Sequence, residues 1–378
     1  MSATTTEAGA LAGIAADGFA GLTSRIEELH GAIADRSFRS PGAAPVRVVH
    51  DAIAGAVYAG VRGAGRAAGR LADHALPDRR LSATPRGAAV QSALNGWLGD
   101  RLEAEHSPLA VPMAIRVGGR DLALEAEAIA DAYPDASGRI VVFTHGLGES
   151  EDAWRLRARA RGGTYATKLR DALGTTAVFV RANTGLPIAD NGERLADLLE
   201  ALVAGWPVQV ERIDLIGHSM GGLIGRAACH AGAARGDAWI APLCVTVTLG
   251  TPHFGAPLEQ AAARTADALG LVPEAAPIGK VIDSRSAGIK DLREGLDLPL
   301  HAPCRHYAIA ATLTSSDRHL VARALGDALV LKPSAHGIGR GGKRTGFLED
   351  AVAHVGGIDH LALLNDPRVG ELLLDWLS

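Results

Sequence analysis

From residue 113 onward, short continuous apolar runs alternate with longer stretches whose apolar positions recur at helical spacing. The runs at 140–143, 177–180, 213–216, 245–249 and 307–311 predict strands. The stretches at 165–173, 193–204, 221–231 and 258–268 predict the helices between them. Residues 113–117 and 121–124, joined by Gly118-Gly119, predict a β-hairpin. Buried strands separated by crossover helices imply an α/β fold: a mostly parallel, doubly wound sheet covered on both faces.

Upstream the pattern differs. Residues 1–105 look helical and hold no cluster of reactive side chains, so they predict a helical N-terminal extension to a catalytic domain over 106–378. Within 46–76, Ile53, Val57, Val61 and Ala68 fall at roughly helical spacing, and Arg62, Arg66 and Arg70 recur every fourth residue along one face. Such a face is either the solvated side of a packed helix or a basic surface for peripheral contact with an anionic membrane. Residues 273–299 are irregular and punctuated by proline, which makes 257–300 a candidate lid or cap.

Composition narrows the classes. Of 378 residues, 47% are hydrophobic and 21% charged, as in a globular chain, and the net charge of −4 argues against nucleic acid as a partner. Cys229, Cys244 and Cys304 are too few and too scattered for a disulfide framework or a zinc site. No His-Glu-x-x-His pattern or spaced carboxylate cluster predicts a metal. The first residues lack a basic region ahead of an apolar one, and no apolar run reaches the ~20 residues of a membrane span, so a cytoplasmic location is expected. Oligomeric state is not legible.

The chemistry concentrates in Gly217-His218-Ser219-Met220-Gly221-Gly222, directly after the strand run 213–216 and ahead of a helical stretch. This strand–turn–helix setting is that of a nucleophile elbow, in which small residues two before and two after the serine relieve crowding on a sharp turn. Acyl transfer also needs donors for the oxyanion. The N–H of Met220 follows the nucleophile, and the loop Thr144-His145-Gly146-Leu147-Gly148 after an earlier strand offers the N–H of Leu147. A base and an orienting acid should follow in the order Ser, Asp or Glu, His. His360, in Gly357-Ile358-Asp359-His360 ahead of the C-terminal helix, suits the base better than His354, His253, His319 or His336. For the acid two candidates stand level. Asp317 closely follows the strand run 307–311, and Asp327 sits in an apolar setting ahead of another candidate strand.

These strings resemble the lipase-like branch of the α/β-hydrolases, which includes bacterial triacylglycerol lipases and the glycosylphosphatidylinositol inositol-deacylase-like hydrolases. The similarity is carried by Thr144-His145-Gly146-Leu147, Arg181-Ala182-Asn183-Thr184-Gly185, the Ser219 elbow and Leu249-Gly250-Thr251-Pro252-His253-Phe254-Gly255. It runs from about residue 113 to the end. The resemblance implies ester hydrolysis without metal or organic cofactor. It favours Asp327, because the family's acid often lies in Gly-Asp-Gly-Leu-Val and Gly326-Asp327-Ala328-Leu329-Val330 departs only at Ala328. It also implies that Thr251 and His253 shape the floor of the site, beside His145, Gly146 and His218.

The reading is therefore a serine carboxylic ester hydrolase working through an acyl-enzyme on hydrophobic or lipid esters, with Ser219, Asp327 and His360 as its triad. An acyltransferase with the same triad and a non-catalytic lipid- or partner-binding protein are the alternatives. Gly337-Ile338-Gly339-Arg340-Gly341-Gly342 imitates a phosphate-binding loop, but Arg344 stands where Ser or Thr would hold magnesium, so a surface loop is expected there.

Overall fold

The computed structural model describes residues 84–256, 285–301, 303–319, 323 and 326–378, with scattered positions from 6 to 63. Ala89–Arg101, Val111–Glu259 and Ser286–Ser378 form one compact unit; Met1–Ala88, Leu102–Ala110 and Gln260–Arg285 form a second. In the second unit the described positions from 7 to 63 are helical, and Arg62 pairs with Glu27. Arg66, Arg70, the helix predicted over 258–268 and most of the expected lid lie outside the described residues.

Helix α1 (Pro85–Ala104) contributes its residues 89–101 to the first unit. There the Gly99 carbonyl accepts from Asn183 Nδ2 at 3.0 Å, Asn95 Oδ1 accepts from Val111 N–H at 2.9 Å, and the Gly96 carbonyl accepts from the Ser286 hydroxyl at 2.6 Å. Part of the stretch read as an extension is thus built into the sheet-bearing unit.

The sheet comprises β1 (Ala114–Val117), β2 (Arg120–Asp121), β3 (Arg139–Thr144), β4 (Thr176–Arg181), β5 (Arg212–His218), β6 (Leu243–Leu249), β7 (Arg305–Thr312) and β8 (Val352–Gly356), in the order β2-β1-β4-β3-β5-β6-β7-β8. β1 pairs antiparallel with β2 and β4, and every other pairing is parallel. Helices α2 (Ala126–Ala132), α3 (Tyr165–Leu173), α4 (Ile188–Gly205), α5 (Met220–Arg235), α6 (Ala287–Glu294) and α7 (Pro367–Leu377) complete the unit.

Alternation along the strands divides the core into two layers. Ile140, Val142, Ile213 and Leu215 pack with Leu195, Leu199 and Leu202 of α4 and with Leu223 and Ile224 of α5. Val141, Phe143, Ile216 and Val247 face the other way, onto Tyr165 and Leu169 of α3 and Val369, Leu373 and Leu377 of α7. Full burial of such side chains stabilises by roughly 1.5–3 kcal/mol each, so both covered faces hold the sheet against its helices.

The five predicted parallel strands are present, each extended by a residue or more. Three details differ from expectation. Residues 326–330 form a turn rather than the start of a strand, and the last parallel strand is β8, which the apolar pattern did not mark. Within 273–299, read as irregular, Ala287–Glu294 is helical, because Ser286 caps it by accepting from Ile289 N–H. Among the described residues no helix is long and apolar enough to cross a membrane.

The chain passes from β3 outward to β4, then returns to place β5 on the other side of β3. Loops leaving the carboxyl ends of β3 and β5 therefore diverge. In open α/β sheets that divergence opens the crevice where ligands bind.

Candidate active site

Ser219 lies immediately after β5, at φ 52° and ψ −122°, a left-handed conformation that non-glycine residues seldom adopt. Three bonds hold it there: its N–H donates to the Leu249 carbonyl at 2.8 Å, and its carbonyl accepts from the Thr251 hydroxyl at 2.8 Å and from Gly222 N–H at 3.1 Å. The flanking glycines are required by space: a Cβ on Gly217 would stand 2.4 Å from Gly222 N, and one on Gly221 would stand 2.3 Å from the Thr144 carbonyl oxygen. Helix α5 begins at Met220, whose N–H at the first helical position points out of the helix start, while Gly222 N–H donates back to the Ser219 carbonyl at 3.1 Å.

The loop after β3 faces this turn. A Cβ on Gly146 would lie 3.0 Å from Ser219 Cβ. Gly146 N–H is committed to Glu149 Oε2 at 2.8 Å and Gly148 N–H to Thr184 Oγ1 at 2.9 Å. The N–H of Leu147, between them, has no acceptor among the described residues. A buried bidentate pair fixes the far end of the loop, Glu151 accepting from Arg181 Nε and Nη2, each at 2.6 Å.

His360 and Asp327 meet. His360 Nδ1–H donates to Asp327 Oδ2 at 2.7 Å, with both residues buried. Asp327 Oδ1 accepts from the N–H groups of Leu329 at 3.0 Å and Val330 at 2.8 Å, and the Asp327 carbonyl accepts from His360 N–H at 3.0 Å. The acid is thereby locked on its turn and the imidazole locked on the acid. His360 Nε2 is buried without a partner among the described residues. Gly250, next to the Leu249 carbonyl that holds Ser219, lies against the same ring: a Cβ there would stand 3.0 Å from His360 Cε1. Asp317, the other candidate acid, pairs instead with Lys332 at the surface, and that cation draws its carboxyl below the ordinary range. His354 bonds the Thr312 hydroxyl and His336 the Ala353 carbonyl.

Hydrogen-bond partners assign the other histidines their protons. Ala182 N–H donates to His145 Nε2 at 3.1 Å, so His145 carries its proton on Nδ1, donated to the Gly146 carbonyl at 2.9 Å; burial lowers its pKa. Arg226 donates to His253 Nδ1 at 3.0 Å, so His253 donates through Nε2 to Thr248 Oγ1 at 3.2 Å; burial and the guanidinium hold it neutral, well below the usual range. Both rings are buried and bonded through each nitrogen within the protein, and Thr251 donates to the Ser219 carbonyl. His218 differs: Nδ1 faces Glu149 Oε2 at 3.1 Å and Nε2 the His360 carbonyl at 3.3 Å, acceptors that need both nitrogens protonated. Burial, the largest single influence, opposes that charge, but Glu149, the His360 carbonyl and Asp327 together outweigh it and raise the His218 pKa. Burial likewise works against the Glu149 carboxylate, yet His218 and Gly146 N–H bring its pKa down to about 2.

Glu149 is the member that sequence reasoning missed. Its signal was a carboxylate three residues beyond Gly146 in a glycine-rich loop, close enough to accept that residue's N–H. Among the described residues, no cluster of His, Cys, Asp and Glu could hold a metal ion.

Residues 135–267, about a third of the chain, match the family described as "Putative serine esterase (DUF676)". No curated protein matches the sequence. Among solved structures, the mature lipase BlEst2 of Bacillus licheniformis is similar at 18% identity, over 64% of this chain and 92% of that one, with a TM-score of 0.43. The lin2722 gene product of Listeria innocua is similar at 17% identity, over 64% and 94%, with a TM-score of 0.39. The esterase Pf2001 of Pyrococcus furiosus is similar at 15%, over 65% and 85%, with a TM-score of 0.36. The eight-stranded sheet order and the strand–turn–helix around Ser219 give the chain an α/β-hydrolase fold, and the serine-esterase match spans the part that holds Ser219.

Proposed function

We propose that the protein hydrolyses carboxylic esters of hydrophobic alcohols or acids through an acyl-enzyme on Ser219. The observation that carries this reading is the buried Asp327–His360 bond of 2.7 Å, which leaves Nε2 as the imidazole's free nitrogen beside the Ser219 turn. In this mechanism Nε2 takes the Ser219 proton as Oγ attacks the ester carbonyl. Asp327 holds the ring in the Nδ1–H tautomer and stabilises its cation. The oxyanion forms against the N–H groups of Leu147 and Met220; loss of one such donor typically costs about 10²–10³ in rate. His360 then returns the proton to the departing alcohol, and water attacks the acyl-serine with the same base.

Exposed Leu329 and Leu361, which flank Asp327 and His360 in sequence, support a hydrophobic substrate. Of the expected lid, the described part includes α6, held against α4 where Ile188 N–H donates to Asp291 Oδ2 at 2.8 Å. The test is a fluorophosphonate with mass-spectrometric mapping, alongside p-nitrophenyl esters of increasing chain length. The expected result is one label on Ser219, abolished in Ser219→Ala, with turnover of the esters. Absence of label from folded protein overturns the reading.

A further inference from the structure

Between the loop after β3 and α3 the chain reads Arg155-Leu156-Arg157-Ala158-Arg159-Ala160-Arg161, four arginines at alternate positions. Their side chains divide in role. Arg161 turns inward, donating to the Ala362 carbonyl at 2.6 Å and lying 3.5 Å from the Asp366 carboxylate, which ties the segment to the turn that carries His360. Arg155, Arg157 and Arg159 instead line a hollow of about 630 Å³ with Thr164, Thr167 and Phe179.

No carboxylate lines that hollow. The acids at its border are Asp152, 3.2 Å from Arg155, and Asp359, 3.6 Å from Arg157. Both pairs are open to solvent, so neither holds its arginine firmly. Arg159 is exposed and has no acidic partner among the described residues. With Asp152 and Asp359 only loosely beside Arg155 and Arg157, the lining keeps an excess of positive charge centred on Arg159, which an entering anion would offset. Guanidinium forks match a phosphate through paired hydrogen bonds, and a hollow of this size holds a headgroup-sized molecule. Its position matters as well, because Asp359, the partner of Arg157, directly precedes His360.

We propose that the hollow of Arg155, Arg157 and Arg159 binds the phosphate group of an anionic ester, as a subsite on the His360 side of the catalytic centre. That the bound molecule is a substrate rests on the esterase reading; that it binds does not. Phosphate can arrive on a small soluble ester or on a phospholipid headgroup, and the test separates the two.

Ser219→Ala protein, which binds without turnover, is titrated with glycerol 3-phosphate in a calorimeter and co-sedimented with phosphatidylglycerol vesicles. Saturable binding of glycerol 3-phosphate is expected if the phosphate can be free, and binding to vesicles alone if it must be a headgroup. In either case adding R155Q and R159Q weakens binding by about tenfold or more, as loss of charged hydrogen bonds should, while R155K with R159K weakens it less. Saturation of neither probe, or equal binding by the glutamine variant, overturns the proposal. With active enzyme, the ratio of kcat/KM for a phosphorylated ester over a neutral one falls about tenfold in the same glutamine variant. A protein that binds phosphate but labels no serine would keep this site and lose only the esterase reading.

Discussion

Glu149 and the fully buried His218 form a part-buried ion pair beside the nucleophile turn, with Nδ1 and Oε2 3.1 Å apart. The pair joins the two sides of the crevice: Glu149 comes from the loop after β3 and His218 from the last position of β5. Its carboxylate also holds Gly146 N–H, and the His218 ring lies 4.7 Å from that of His360. One interaction therefore ties the loop that holds Leu147 to the strand end beside His360, the two sides of the proposed mechanism.

Breaking that pair should cost stability with a pH signature. Glu149→Gln leaves His218 buried without its counter-charge, a loss of about 3 kcal/mol in urea unfolding near neutral pH. In the intact protein Glu149's pKa, lowered from 4.5 to about 2, contributes stability that is present above pH 4.5 and lost as the pH falls toward about 2. His218, raised above 6.5, contributes stability that is full below that pH and lost as pH rises through its folded value. The variant should lack both flanks, and identical stability–pH curves for the two proteins would dismiss the pair as a stabilising element.

The two candidate acids separate by kinetics. Asp327→Asn should lower kcat by about 10³–10⁴ with little change in KM, since the ring would lose its tautomer and its counter-charge. Asp317→Asn removes only a surface contact with Lys332 and should leave kcat within about twofold. Comparable losses in both would disprove the assignment.

Ala328 follows the acid at φ 88°, where glycine is favoured. Ala328→Gly should relieve strain of about 1 kcal/mol and raise Tm by about 2–4 °C. The bonds from Leu329 and Val330 N–H to Asp327 Oδ1 are untouched by the change, so kcat should stay within about twofold. A fall in Tm would show that the turn needs the methyl group.

Thr251→Val removes the hydroxyl that donates to the Ser219 carbonyl while keeping shape. The expected cost is about 1 kcal/mol of stability and about a tenfold drop in kcat, as the turn loses one of its three anchors. Unaltered kcat would mean that the Leu249 carbonyl and Gly222 N–H suffice.

The strands and the elbow were legible because both are written locally. Buried parallel strands appear as apolar runs, and a serine at positive φ demands small neighbours within two positions. β8 was not legible, since its residues are mostly half-buried and Val352-Ala353-His354-Val355-Gly356 has neither an unbroken apolar run nor strict alternation. Asp327 was placed correctly in an apolar setting, but the setting is a turn: its carboxylate binds the next backbone N–H groups instead of leading into a strand. Glu149 and His218 are 69 positions apart, and no pattern in sequence announces a pair that only the adjacency of β3 and β5 creates. The same holds for Asn183 and Gly99, which left residues 89–101 looking like part of a separate extension.

That last contact governs where the chain can be cut. Gly99 sits so close to Asn183 that a Cβ on it would stand 1.8 Å from the amide oxygen, and one on Gly185 would stand 2.1 Å from the Asn95 carbonyl. Two backbones press together there with no room for anything but hydrogen. A shortened gene starting after residue 105 would pull this wedge out and leave the Asn183–Gly185 bend, neighbour to the oxyanion loop through Thr184, facing water. A trimmed version meant to keep the fold around Ser219 must begin upstream of Ala89.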